Sequence, residues 1–224
     1  MFAKEGLYFV IPSIIINVFI ISFFNWFYAD VYSKFFPYFG WFYSPLFALT
    51  AFFIFFFRDP DRKPEGDGII APTDGTVTFV KQENGKTTIF IELAASDVHT
   101  QRSPVEGKIL NVEKIKGAHH PIYFVNTSKS ENEYTIPVNK NERIKIDMVD
   151  KNGVKMKITQ IAGAVARRCR SYVKTGDTVQ RGQRIGIIMF GSLLKYEIEG
   201  QYEIIKGIGE HVKSGKHVLL KRLQ

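Results

Sequence analysis

Cysteine and early charge are the two scarcities of this 224-residue chain. One cysteine, Cys169, excludes an internal disulfide and fits a reducing compartment; a small buried hydrophobe is its plain reading. With no other cysteine and no clustered histidines beyond the adjacent His119 and His120, no metal centre is expected. Charge is missing from the first 57 residues except at Lys4, Glu5, Asp30 and Lys34, so the formal net charge of +8 belongs to residues 58–224. No small-x-small cleavage site follows the first apolar run, which is too long for a signal-peptide core, and this argues against a cleaved signal peptide.

Two uncharged stretches, 7–29 and 35–57, occupy that charge-poor region at 23 residues each, against the ~20 that a helix needs to cross the hydrocarbon core. An α-helical membrane hairpin is expected over 1–57, with Asp30 and Lys34 in its turn. Lys4 on one flank and Arg58, Arg62 and Lys63 on the other favour cytoplasmic ends, hence a body on the cytoplasmic side of the cell membrane. Pro12, Pro37 and Pro45 leave a shallow re-entrant or interfacial hairpin as the rival. A basic body on such an anchor suits anionic lipid rather than nucleic acid.

Residues 58–68, charged and rich in turn formers, read as a linker. From 69 to 224 short runs rich in Val, Ile, Thr and Phe alternate with Gly, Asp or Asn turns, as in KQENGKTTIFI and VDKNGVKMKI. The body is therefore mostly β. PTDGTV at 72–77 echoes PVEGKI at 104–109, and GDTVQRGQRI from Gly176 echoes GEHVKSGKHV from Gly209, 33 residues on. Such paired turn-and-strand units predict a β-sandwich or barrel-sandwich built by pseudo-repetition.

RIGIIM at 184–189 is strand-like and ends abruptly at Phe190, Gly191 and Ser192; alone, a Gly-Ser pair is an ordinary turn. In company it is more. APTDG (71–75), SDVHTQRSP (96–104), NER (141–143), QIAGAVARR (160–168) and GDTVQRGQRIGIIMFGS (176–192), in this order and spacing, resemble phosphatidylserine decarboxylase in its short bacterial and archaeal forms, and FFRDPDR at 56–62 is similar to that family's entry into its body.

The resemblance implies a proenzyme that cuts itself between Gly191 and Ser192 into a large subunit, 1–191, and a small one, 192–224. The Ser192 hydroxyl would attack the preceding carbonyl carbon to give an ester, uphill unless the fold strains the peptide and holds the nucleophile close. A base then removes the Ser192 α-proton, β-elimination releases the Gly191 carboxylate, and water converts the dehydroalanine into a pyruvoyl group with loss of ammonia. That pyruvoyl group is the implied cofactor, in place of pyridoxal phosphate or a metal. It would form a Schiff base with the serine head group of a phospholipid and act as electron sink while carbon dioxide leaves, turning phosphatidylserine into phosphatidylethanolamine.

His99 is the expected base, because imidazole titrates near neutrality, with Asp74 orienting it as in the family's aspartate, histidine and serine triad. Asp97 reads equally as a supporting carboxylate or a turn residue. Arg102, Arg143, Arg167 and Arg168 are candidate grips for the substrate's carboxylate or phosphate, since a guanidinium can hold either by two bonds. His119 and His120 are candidate substrate contacts, of which at most one faces the site if both lie on a strand. His211 and His217 are given no role. The partners expected are a serine phospholipid, membrane lipid, the chain's own two subunits and further copies in a homo-oligomer.

Two positions depart from the family pattern: Leu193 stands where arginine is usual, and Gln101 where asparagine is expected. Archaetidylserine is an alternative substrate. The rival of another class is a non-catalytic membrane-tethered barrel-sandwich module, in which Lys155, Met156 and Lys157 would be weighed as a biotin-acceptor turn; their alternation within a strand-like run argues against it.

Overall fold

The computed structural model describes residues 1–27, 44–122, 134–163, 168–190 and 192–223. They divide into two compact units, Met1–Pro60 and Asp61–Gln224.

In the first unit, helix α1 (Leu7–Phe27) carries Ile11, Ile14, Ile15, Phe19 and Phe23 outward. The segment Lys4–Trp26, 23 residues, is long and apolar enough to cross a membrane by length and composition. Helix α2 is described over Ser44–Phe56. The first part of the stretch expected to make the second crossing, with Asp30, Lys34 and Pro37, lies outside the described residues. The two helices meet through Asn17 Nδ2, which donates to Thr50 Oγ1 at 3.0 Å, and through Phe9, stacked on Phe57 at 5.2 Å. Ala3 N donates to Phe57 O, and Asp59 N to Met1 O, each at 2.9 Å. The start of α1 and the end of α2 therefore sit together, as a hairpin requires.

The second unit is built of strands β1 (Ile69–Ile70), β2 (Gly75–Glu83), β3 (Lys86–Leu93), β4 (Thr100–Arg102), β5 (Gly107–Ile115), β6 (Arg143–Asp150), β7 (Lys155–Ala162), β8 (Arg168–Ser171), β9 (Thr178–Val179), β10 (Arg184–Met189), β11 (Ser192–Glu199), β12 (Tyr202–Ile204), β13 (His211–Val212) and β14 (Val218–Arg222). A short helix, α3 (Thr135–Lys140), precedes β6. An eight-stranded sheet in the order β13-β2-β3-β11-β7-β6-β5-β9 faces two three-stranded sheets, β1-β14-β12 and β4-β10-β8. All three feed one core, which includes Val77, Ile91, Ile146 and Leu194 from the large sheet and Ile185, Ile188, Leu219 and Leu220 from the small ones. This is the expected mostly-β, barrel-sandwich-like body.

The sequence echoes have a structural counterpart. Gly75 and Thr76 pair with Val212 and His211; Gly107 and Lys108 pair with Val179 and Thr178. Gly209 N donates to Val77 O at 2.8 Å, and Gly176 N to Ile109 O at 2.9 Å. Gly75 and Gly107 are glycines for one reason: a Cβ would lie 2.3 Å from the Glu92 oxygen at the first and 2.3 Å from the Val149 oxygen at the second. The large sheet is thus two matched runs, β13-β2-β3-β11 and β9-β5-β6-β7, joined where β11 pairs with β7.

One difference separates the halves. β6 and β7 are joined by a tight turn at 151–154, whereas between β3 and its partner β11 the chain runs from Ala94 to Gly191 through the whole other half. Ser192 opens β11, opposite Leu93 on one side and Ala162 on the other. On the outer face of this sheet Phe90, Ile122, Tyr134, Ile161 and Leu193 form a second apolar cluster.

Candidate active site

β10 delivers the chain to Phe190, Gly191 and Ser192, and β4 runs antiparallel beside it. Thr100 pairs with Ile187, and Ile188 N donates to His99 O at 3.2 Å. Strand pairing therefore places His99 beside the segment that enters β11. Gly191 lies outside the described residues, as does Arg167; for Ser192 the strand position is described.

His99 is buried, 1% exposed. Its Nδ1 is 2.9 Å from the main-chain oxygen of Asp97. A carbonyl can only accept, so Nδ1 carries a proton, and in the neutral form of the ring the lone pair is at Nε2. That is the tautomer a base needs. The histidine is delivered by a turn closed on both sides: Asp97 N donates to Ala94 O at 3.0 Å, and Ala94 N donates to Asp97 Oδ2 at 2.8 Å. The other carboxylate oxygen of Asp97 lies 2.8 Å from His211 Nε2.

Asp74 reaches this segment by a different route from the one expected. Its carboxylate accepts two bonds from the Arg62 guanidinium, one from Ser214 N at 2.7 Å and one from Val98 N at 3.3 Å. It fixes the backbone next to His99 and does not bond the imidazole. Arg62, within the stretch read as a linker, also donates to Ser214 O at 2.9 Å and is a partner that sequence reasoning missed.

Behind His99 runs a chain of buried amides. Gln160 Nε2 donates to Gln101 Oε1 at 2.8 Å, and Gln101 Nε2 donates to His99 O at 2.8 Å; both glutamines are fully buried. Gln101 has one methylene more than the asparagine expected there, and its amide spans from the His99 carbonyl to Gln160. Gln160 in turn lies opposite Leu194, two residues into β11.

The arginines separate by environment. Arg168 pairs with Met189 at the Phe190 end of β10 and is exposed. Arg102 is buried at the other end, opposite Arg184, donating to Gly182 O at 3.2 Å. Arg143 is half-buried and donates to the Asn139 and Asn141 main-chain oxygens at 2.9 and 3.0 Å.

His119 and His120 are exposed in a segment between β5 and α3 rather than on a strand. Asn141, fully buried, ties that segment down: its Oδ1 accepts from His120 N at 2.9 Å, and its Nδ2 donates to His120 O at 2.9 Å and to Ala162 O at 2.7 Å. Since Ala162 lies opposite Ser192, the segment is anchored to a strand flanking the Gly-Ser pair. Lys155, Met156 and Lys157 alternate along β7 with Met156 buried, so neither Lys155 nor Lys157 tops a hairpin.

Comparison with known proteins bears on the family of the chain. The profile of the family described as phosphatidylserine decarboxylase matches residues 49–220. A protein of Archaeoglobus fulgidus named as an archaetidylserine decarboxylase proenzyme is 36% identical over 179 residues, covering 80% of this chain and 83% of that one. A phosphatidylserine decarboxylase proenzyme of Solibacter usitatus is 35% identical over 180 residues, covering 80% and 83%. A proenzyme of the same name from Salinibacter ruber is 35% identical over 180 residues, covering 75% of each chain. By profile, by similarity along most of its length and by the motifs that its strands bring together, this chain is an enzyme of the phosphatidylserine decarboxylase family.

Proposed function

We propose that the chain is a self-processing, pyruvoyl-dependent decarboxylase of serine phospholipids, which breaks its backbone between Gly191 and Ser192. The observation that carries this reading is the pairing of β4 with β10, which brings a buried, Nδ1-protonated His99 to the entrance of β11. Three needs of the chemistry have a counterpart among the residues present. His99 Nε2 is a base held in one tautomer. Phe190 carries a φ of 62° directly before Gly191, in a region costly for an aromatic residue. Ser192 begins a strand gripped on both sides, so its α-carbon is held after the chain parts.

In processing, the Ser192 oxygen displaces the Ser192 nitrogen from the Gly191 carbonyl carbon to form an ester, and His99 Nε2 takes the Ser192 α-proton as the Gly191 carboxylate departs. One water then replaces nitrogen as ammonia. The pyruvoyl group so formed supplies a carbonyl that joins the head-group amine covalently and withdraws the electron pair left by carbon dioxide. In turnover His99 returns a proton to the carbon that lost carbon dioxide, and Arg168, exposed beside the entrance, meets the phosphate or carboxylate of the incoming lipid. Asp74, Arg62 and Gln101 hold the His99 segment in place. The apolar helix α1 keeps the body at the cytoplasmic face of the membrane, where head groups are met without extraction into water.

Intact-mass analysis of purified protein tests this directly. We expect two polypeptides, 1–191 and 192–224, the smaller lighter by one ammonia than simple hydrolysis would leave it. Ser192→Ala should yield one uncut chain and His99→Ala a slowly cut one. Carbon dioxide release from vesicles of phosphatidylserine and, separately, archaetidylserine then assigns the lipid backbone. A fully active preparation consisting of one continuous chain would overturn the proposal.

A further inference from the structure

Asp97 holds the imidazole of His99 with its main chain and is itself held by its side chain. Its carbonyl fixes the proton on His99 Nδ1. Its carboxylate takes Ala94 N on Oδ2 and His211 Nε2 on Oδ1, each at 2.8 Å. Turning that side chain turns the residue, and the carbonyl aimed at His99 turns with it. His211 stands on β13, opposite Thr76 and so close to Asp74, the other tether of the His99 segment.

The matched half shows whether the fold needs a histidine there. Thr178 holds the position of His211 in the echo, makes the same kind of pairing with Lys108 that His211 makes with Thr76, and is likewise exposed. Strand geometry is satisfied by threonine. The imidazole at 211 therefore serves a contact that the repeat alone does not call for, and that contact is Asp97.

We propose that His211 is a positioning residue for His99, acting through Asp97, and that it reaches the site from the C-terminal side of the cut. The proposal rests on the reading of His99 as the base. His211 accounts for a base held by both products of scission: the large fragment supplies His99 and Asp97, and the small fragment supplies the group that steadies Asp97.

The test uses the full chain in detergent micelles with 15N-labelled histidine. His99→Gln identifies the His99 imidazole signals, and wild type should show the Nδ1-protonated form. His211→Thr installs the residue that the matched half accommodates; it should leave the thermal midpoint close to wild type, convert the His99 signals to a mixture of tautomers and slow self-cleavage about tenfold, the scale of one hydrogen bond to a charged partner. His211→Gln, which keeps a donor, should restore most of the rate.

In a double-mutant cycle read on cleavage, His211→Thr should add less than about twofold once Asp97 is alanine. An unchanged His99 tautomer in His211→Thr, or effects of the two substitutions that multiply, would overturn the proposal. Wild type that never cleaves would sink the enzymatic reading instead, while the tautomer measurement would still decide whether His211 acts on His99.

Discussion

Phe190 has a φ of 62°, and Asn84, in the Asn-Gly turn between β2 and β3, is the other described non-glycine residue with a positive value. Asparagine tolerates this region and phenylalanine does not, at a cost of about 1–3 kcal/mol. We expect Phe190→Gly to raise the thermal midpoint of the uncut Ser192→Ala protein and to slow cleavage where Ser192 is present; faster cleavage would show that the strain is not used. Arg62→Ala leaves the buried Asp74 with amide donors only, and a loss of about 3 kcal/mol in urea titration is expected. Lysine at 62 should recover little of it, because it cannot grip both oxygens. Ser192, His99 and Asp74 were legible as members of motifs. Arg62 was not, since its sequence neighbours are turn formers and its contacts with Asp74 and Ser214 depend on the folded chain.

Among the elements, β6 was the most legible: its side chains alternate between buried and half-buried along all of Arg143–Asp150. β7 and β11 were less so, because both their faces are covered where the outer cluster meets the sheet. That cover explains Leu193, which is fully buried against Phe90, Tyr134 and Ile161, surroundings that suit an apolar side chain better than the arginine usual in the family. Farther along β11, burial works against the ionised carboxyl of Glu197, yet hydrogen bonds from Lys86 and Lys195 outweigh it and hold its pKa below the usual 4.5. The folded value lies below the unfolded one, so this stabilisation is present above pH 4.5 and is lost as pH falls through the folded value. Lys86 is itself half exposed, and screening limits the gain to about 1 kcal/mol. Glu197→Gln should therefore lower stability at pH 7 and match wild type in strong acid, as read by denaturation midpoints across pH.

At the scale of the whole body, the proposed small fragment contributes β11 between β3 and β7, β13 on β2 and β14 on β1. We expect the two products to co-elute on gel filtration in mild detergent and to part only in denaturant; separation under native conditions would contradict this strand exchange. The repeat was legible as two sequence echoes, but the way the halves are threaded was not, because no local pattern records that one hairpin turn is replaced by almost a hundred residues. In the half that keeps its turn, Glu106 and Arg181 take the places of Asp74 and Ser214, and they line a groove of about 610 Å³ together with Asp150 at the end of β6 and Lys151 and Asn152 of that turn. The molecule thus contains its own control experiment: one scaffold twice over, of which the copy closed by four residues has no room for a histidine-bearing detour. On the proposed reading the excursion supplies the base, and the sheet supplies both its frame and, at the head of β11, Ser192.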